Sequence, residues 1–245
     1  MKGYNLLVIS MDNEKGKQRR SKLNYPFIWV KGLKGSDKSN PIVKEVTNKF
    51  LVRYNQEKNS PKVLGYIGNF SSHIKVLKHI VNNNLKNSVI LEDDSQLEFL
   101  PPIAKLPKDA ITQFSGRLQP KRWEDVKSFH QGCEPQKIIK TFKKGLNKIN
   151  HDDYRFTQSN AIYVPNKKEA QKILDTIEKA KHYKSYDFFL NDHHLLDYLW
   201  YPAPFTHDDL STGSSITKGG EGRIKNYILT KPPPNRKNYY NPHCK

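Results

Sequence analysis

Apolar and polar positions follow two rhythms along this chain. Residues 4–10 (YNLLVIS) are an apolar run of strand length, and the charged residues 12–23 behind them are compatible with a helix. Residues 25–30 (YPFIWV) predict a second strand, and the Gly, Ser and Asp content of residues 31–40 predicts a loop. Ile42, Val46 and Phe50 have rough helical spacing, which leaves residues 41–55 ambiguous. The stripe Ile74, Leu77, Ile80 and Val81 predicts a helix capped by Ser71 or Ser72 and ended by Asn82-Asn83-Asn84. A short, wholly apolar strand follows at residues 88–91. A helix leading into such a strand is the rhythm of an α/β layered fold with a buried, mostly parallel sheet.

Further strands are expected at residues 109–114 and 160–164, and an amphipathic helix at 166–180 with Ile173, Leu174 and Ile177 on one face. Residues 186–200 (YDFFLNDHHLLDYLW) predict another helix. Residues 115–153 are long, polar and weakly periodic, the character of a functional lid or an insertion. Residues 1–230 read as one domain, and 231–245 as a Pro-rich basic tail, extended or flexible.

Charge changes the picture at one place. The chain carries 42 Lys and Arg against 24 Asp and Glu, a formal charge of +18, yet Glu92, Asp93 and Asp94 stand together where the strand at 88–91 runs out. Ligands of open α/β sheets bind beyond the carboxyl ends of strands. Alternation would aim Glu92 and Asp94 the same way, and two converging carboxylates call for a cation such as Mg²⁺ or Mn²⁺. The residues alone leave a solvated acidic turn equally open, with Asp94 as a cap. The basic surplus suits anionic partners, or solubility only, and admits a metal-dependent nucleic-acid-processing or nucleic-acid-binding protein as an alternative. No zinc-finger, RNP or helix-turn-helix signature supports that alternative, so a nucleic-acid partner is not expected.

Two distant cysteines, Cys133 and Cys244, make no disulfide framework and fit a reducing compartment. The first apolar run is too short for a signal sequence, and no segment reaches the ~20 apolar residues of a membrane span. The expectation is a cytoplasmic protein, with peripheral membrane contact admitted.

Residues 65–94 (GYIGNFSSHIKVLKHIVNNNLKNSVILEDD) resemble the core of glycosyltransferase family 25, the lipooligosaccharide and collagen galactosyltransferase-like enzymes. The resemblance is carried by Gly65, Gly68, Ser72, His73 and then Glu92-Asp93-Asp94, in that order and at similar spacing. VISMD with Gln18-Arg19-Arg20, NAIYVPNKKEAQKIL, YDFFLNDHHL and PFTHDDLSTGSSI are similar to other segments of that family. Asn69 stands where the family usually has Cys, Ser10-Met11 where it has Asn-Leu, and Ser215 where it has Asp.

The resemblance implies a GT-A-like, Rossmann-type domain with a central, mostly parallel sheet flanked by helices. It further implies transfer of a hexose, galactose or glucose, from a UDP-sugar to a hydroxyl of a glycan, glycoprotein or glycolipid, with inversion. The implied metal ligands for Mn²⁺ or Mg²⁺ are Asp94, Asp93 and the distant His207. Ile9, Ser10, Met11 and Asp12 would cradle the nucleotide, Arg19 or Arg20 would reach phosphate, and Glu92 would face the ribose or brace the loop. Asp187 is the implied base, with Asp192 second, although Asp187 could equally cap the helix behind it. His73 is expected to make a structural hydrogen bond. Tyr186, Phe188 and Phe189 are expected to pack in the core or to offer a stacking platform.

Overall fold

The computed structural model describes residues 3–52, 57–120, 141–157 and 161–207, with backbone alone at 117–120, 157 and 207. Cys133, Cys244, Ser215 and the tail lie outside the described residues. The first half alternates strand and helix: β1 (Asn5–Ser10), α1 (Glu14–Ser21), β2 (Ile28–Lys31), α2 (Pro41–Lys49), α3 (Pro61–Asn82) and β3 (Ser88–Glu92). Then come β4 (Ser95–Leu97), β5 (Thr112–Gln113), β6 (Arg117–Pro120), β7 (Gly145–Lys148), β8 (Tyr154–Thr157) and β9 (Ala161–Val164). The described chain ends with α4 (Lys167–Lys179), α5 (Tyr186–Asp192), β10 (Tyr198–Tyr201) and β11 (Phe205–His207).

The expected central sheet is present, with strand order β2-β1-β3-β9-β5-β10-β7. It is parallel across β2-β1-β3 and between β5 and β10, while β9 runs against both its neighbours and β7 against β10. Both faces are covered. Leu7 and Ile9 of β1 join Ile67, Phe70, Leu77 and Ile173 of the helices on one face. Leu6 and Val8 join Tyr25, Phe114, Tyr163 and Phe205 on the other. Double coverage is why β1 and β3 read as continuous apolar runs and not as alternating ones.

Three sequence expectations are corrected. The helix expected to be capped by Ser71 or Ser72 is capped eleven or twelve residues earlier, because Ser60 Oγ accepts from Val63 N at 3.4 Å and Pro61 takes the first turn. Gly65 and Gly68 therefore lie inside α3, and Ser72 ties it to the loop after β2: its Oγ donates to Gly68 O at 2.6 Å and accepts from Leu33 N at 2.8 Å. Gly68 is needed there, since a Cβ would stand 2.6 Å from Leu33 O.

The helix expected over 186–200 stops at Asp192; His194 takes a φ of +51°, and the apolar residues beyond form β10. The strand at 88–91 extends to Glu92 and then turns at Asp93-Asp94 into β4, so alternation does not govern those two acids. Among the described residues no helix is long and apolar enough to cross a membrane.

Candidate functional site

The carboxyl ends of β1 and β3 define the site. Their parallel register pairs Ile9 with Glu92, so Ser10 at the end of β1 and Asp93 just past the end of β3 are neighbours. Ser10 Oγ donates to Asp93 Oδ2 at 2.7 Å. The chain then turns sharply into α1: Asn13 caps it by accepting from Gly16 N at 2.8 Å, and a Cβ on Gly16 would stand 2.0 Å from Met11 O. One turn later, α1 returns two guanidinium groups to the strand ends. Arg19 Nη1 donates to Asp93 Oδ1 at 2.9 Å in a buried ion pair. Arg20 Nη1 donates to Ser10 Oγ at 2.7 Å and to Met11 O at 2.9 Å.

Asp93 thus spends both oxygens on the scaffold. Burial pushes its carboxyl above the usual range, while the Ser10 hydroxyl and the Arg19 guanidinium pull the other way. Of the two arginines expected at phosphate, Arg19 is buried on Asp93, and Arg20 is half-buried with its guanidinium 4.1 Å above the Trp29 ring. Nothing in the sequence singles out Trp29. It is 41% exposed and anchored by Nε1 donating to Ser10 O at 3.1 Å. Asp12 is exposed; the Lys31 ammonium 2.9 Å away holds its carboxyl below the usual range.

Glu92 leans to the opposite side, towards α3. Its Oε1 accepts from Asn69 Nδ2 at 2.8 Å and lies 3.5 Å from His73 Nε2. Asn69, the departure from the family's usual Cys, therefore supplies a donor to the first acid of the triplet. His73 is buried and stacks on Tyr186 at 3.9 Å, which brings the first turn of α5 up behind Glu92.

Asp94 is half-buried in the turn between β3 and β4. Tyr25 donates its hydroxyl to Ser95 O at 3.0 Å, and that hydroxyl is pushed upward by burial first and then by Asp94 and Asp93. His207 enters through the backbone: β11 runs antiparallel to β4 with His207 opposite Ser95, the residue after Asp94. Two residues 113 positions apart in sequence are brought to one place, Asp94 and His207, by a three-residue strand pair that sequence patterning did not reveal. Among the described residues, no three His, Cys, Asp or Glu side chains are grouped so as to hold a metal by themselves.

Around α5 the two candidate bases differ. Ser185 occupies the cap position without a side-chain bond, and Asp187, in the first turn, accepts at Oδ1 from Phe188 N at 2.9 Å. Asp192, at the far end, is exposed and ion-paired to Lys184 at 2.7 Å. Tyr186 and Phe189 pack in the core with Phe70 and Tyr183. Phe188 is half-buried under the Arg155 guanidinium at 4.5 Å. Asn191 clamps α5 to β8, accepting from Phe156 N at 2.9 Å and donating to Phe156 O at 2.6 Å.

Residues 4–190 match the family model described as Glycosyltransferase family 25 (LPS biosynthesis protein). No curated protein matches the chain.

Proposed function

The chain belongs to glycosyltransferase family 25 and is a glycosyltransferase, and from that premise we propose that it moves a hexose, galactose or glucose, from a UDP-sugar to a hydroxyl of a glycan, glycoprotein or lipid acceptor, with inversion and with Mn²⁺ or Mg²⁺ bound. One observation carries the reading: Ser10, Met11, Arg20 and the 92–94 acids meet at the adjoining carboxyl ends of two parallel strands. That is where open α/β sheets take their ligands, in a GT-A-like arrangement. Ile9, Ser10, Met11 and Asp12 line the base and ribose, and Glu92 faces the ribose. Arg20, the more accessible guanidinium, reaches phosphate, and Arg19 supports it from behind.

Asp94 is the carboxylate suited to a divalent cation, with His207 as a second ligand and donor phosphate oxygens completing the shell. Asp93 suits that role poorly, because Ser10 and Arg19 already occupy its oxygens. The ion, when bound, neutralises charge that builds on the diphosphate leaving group. Asp187 takes the proton from the acceptor hydroxyl. The acceptor oxygen then bonds to the anomeric carbon as that carbon's bond to the diphosphate breaks, and the electron pair leaves with the diphosphate. Asp192 is the weaker candidate, since its carboxylate is held by Lys184.

The test is the thermal midpoint of the full chain with UDP-galactose or UDP-glucose, each with and without Mn²⁺. A donor at about 100 times its dissociation constant is expected to add ~2.7 kcal/mol of apparent stability, and only with metal present. No shift with either donor and metal sinks the reading. Asp187→Asn is expected to lower kcat by about 10²–10⁴ with the donor-induced shift retained; an unchanged kcat moves the base elsewhere.

A further inference from the structure

His73 and Tyr186 are buried beyond what their polarity favours. They are 1% and 2% exposed, and their rings stack at 3.9 Å with 15° between the planes. Neither His73 Nδ1 nor the Tyr186 hydroxyl has a hydrogen-bond partner among the described residues. A buried polar atom without a partner destabilises, and an aliphatic side chain against a phenyl ring would fill this space without that loss. The fold alone therefore does not ask for this pair. What the pair does is stand directly behind Glu92. His73 Nε2 lies 3.5 Å from Glu92 Oε1, the oxygen that already accepts from Asn69 at 2.8 Å. The Glu92 side chain is 31% exposed, and no described residue donates to its other oxygen, Oε2.

We propose that His73 is a positioning residue: with Asn69 it holds Glu92 Oε1, so that Oε2 keeps one orientation towards the donor, and the Tyr186 ring keeps the imidazole in place. A glutamate has three rotatable side-chain bonds, and an unrestrained one at a strand end samples many rotamers. The Asn69 hydrogen bond, with the His73 imidazole edge against the same oxygen, removes that freedom before the donor arrives, which is preorganisation. The stack has a second effect. It joins the acid at the end of β3 to the first turn of α5, so that Glu92 and Asp187 are spaced by a continuous run of packed groups. The inference rests on the reading of Glu92 as a donor-facing group.

The experiment is a double-mutant cycle on UDP-sugar affinity with Mn²⁺, measured by calorimetry on the full chain as wild type, His73→Leu, Glu92→Ala and the double variant. His73→Leu is expected to weaken the donor about tenfold, and the double variant to bind no more weakly than Glu92→Ala alone. His73→Gln, which returns an N–H within reach of the same oxygen, is expected to recover most of the loss. Asn69→Ala leaves the ring stack intact and is expected to show the same non-additivity with Glu92→Ala, which keeps the test sound should His73→Leu fold poorly. Additive losses, or wild-type affinity in His73→Leu, overturn the proposal. Crystal structures of the ligand-free His73→Leu or Asn69→Ala protein supply an arm that needs no donor. Glu92 is expected to lose its single rotamer there, and an unmoved Glu92 overturns the proposal. Failure of the wild-type protein to bind any nucleotide sugar would instead count against the functional reading, with the crystallographic arm still deciding the role of His73.

Discussion

The strand ends of β1 and β3 and the region around α5 are held together by different chemistry. At the strand ends the scaffold is ionic: Asp93 is locked by Arg19 and Ser10, and Arg20 crosses from Ser10 to Trp29. Around α5 the scaffold is aromatic and amide-based, with Tyr186 and Phe189 in the core and Asn191 clamped to Phe156. The difference teaches how neighbouring acids are kept apart in role. A buried ionic bracket holds both oxygens of Asp93, the middle acid of the 92–94 triplet, while Glu92 turns to Asn69 and His73. Packed rings and amide bonds fix the helix that carries Asp187.

The comparison breaks first at Asp94. Asp94→Ala is expected to lower turnover by about three orders of magnitude or more while moving the thermal midpoint by ~2 °C at most. Undiminished turnover would remove Asp94 from the site. The contrast with its neighbour is the sharper test. Asp93→Ala leaves the Arg19 charge buried and without its carboxylate, and urea unfolding should show a loss of about 3–5 kcal/mol. A loss within error would mean that the bracket holds nothing.

On the other side, Asn191→Ala removes two hydrogen bonds to the Phe156 backbone, and about 1–3 kcal/mol of stability is expected to go with them. If turnover then falls with donor affinity unchanged, the clamp serves the α5 side alone. The smallest effect belongs to Lys184→Ala. Its ion pair with Asp192 is exposed, and a change under ~1 kcal/mol with normal kinetics is expected. A large kinetic effect there would reopen Asp192 as the base.

Where the physics is local, the sequence is enough to read. β1 and β3 announce themselves as apolar runs because the sheet is covered on both faces, and α4 shows its buried Ile173 and Ile177 at helical spacing. The start of α3 misleads. Ser71 and Ser72 look like cap residues, but both are buried inside the helix, and the signal that counts is Ser60 followed by Pro61. The end of α5 is hidden because Leu195 and Leu196 continue an apolar pattern that periodicity cannot divide between helix and strand.

Within the site, the strand rule points to the 92–94 acids, whereas residues 9–12 and the arginine pair enter only through the family resemblance. The division of labour among the acids is legible in neither. Partners such as Arg19 for Asp93, or Asn69 and His73 for Glu92, lie 19 to 74 positions away and leave no periodic trace. Two short strands, β4 and β11, carry the meeting of Asp94 with His207, and three-residue strands have too few alternations to be seen.

The strand order also bears on how the chain reaches its fold. β2, β1 and β3 are complete by residue 92, whereas β9, the partner on the other edge of β3, begins at residue 161. At about 5–20 residues per second, the apolar edge of β3 waits roughly 4–14 s during synthesis before its neighbour exists. For that interval the half of the sheet bearing the acids is an open template for pairing with another chain. Chains truncated just before Ala161 are therefore expected to aggregate, and those extended past Val164 to escape.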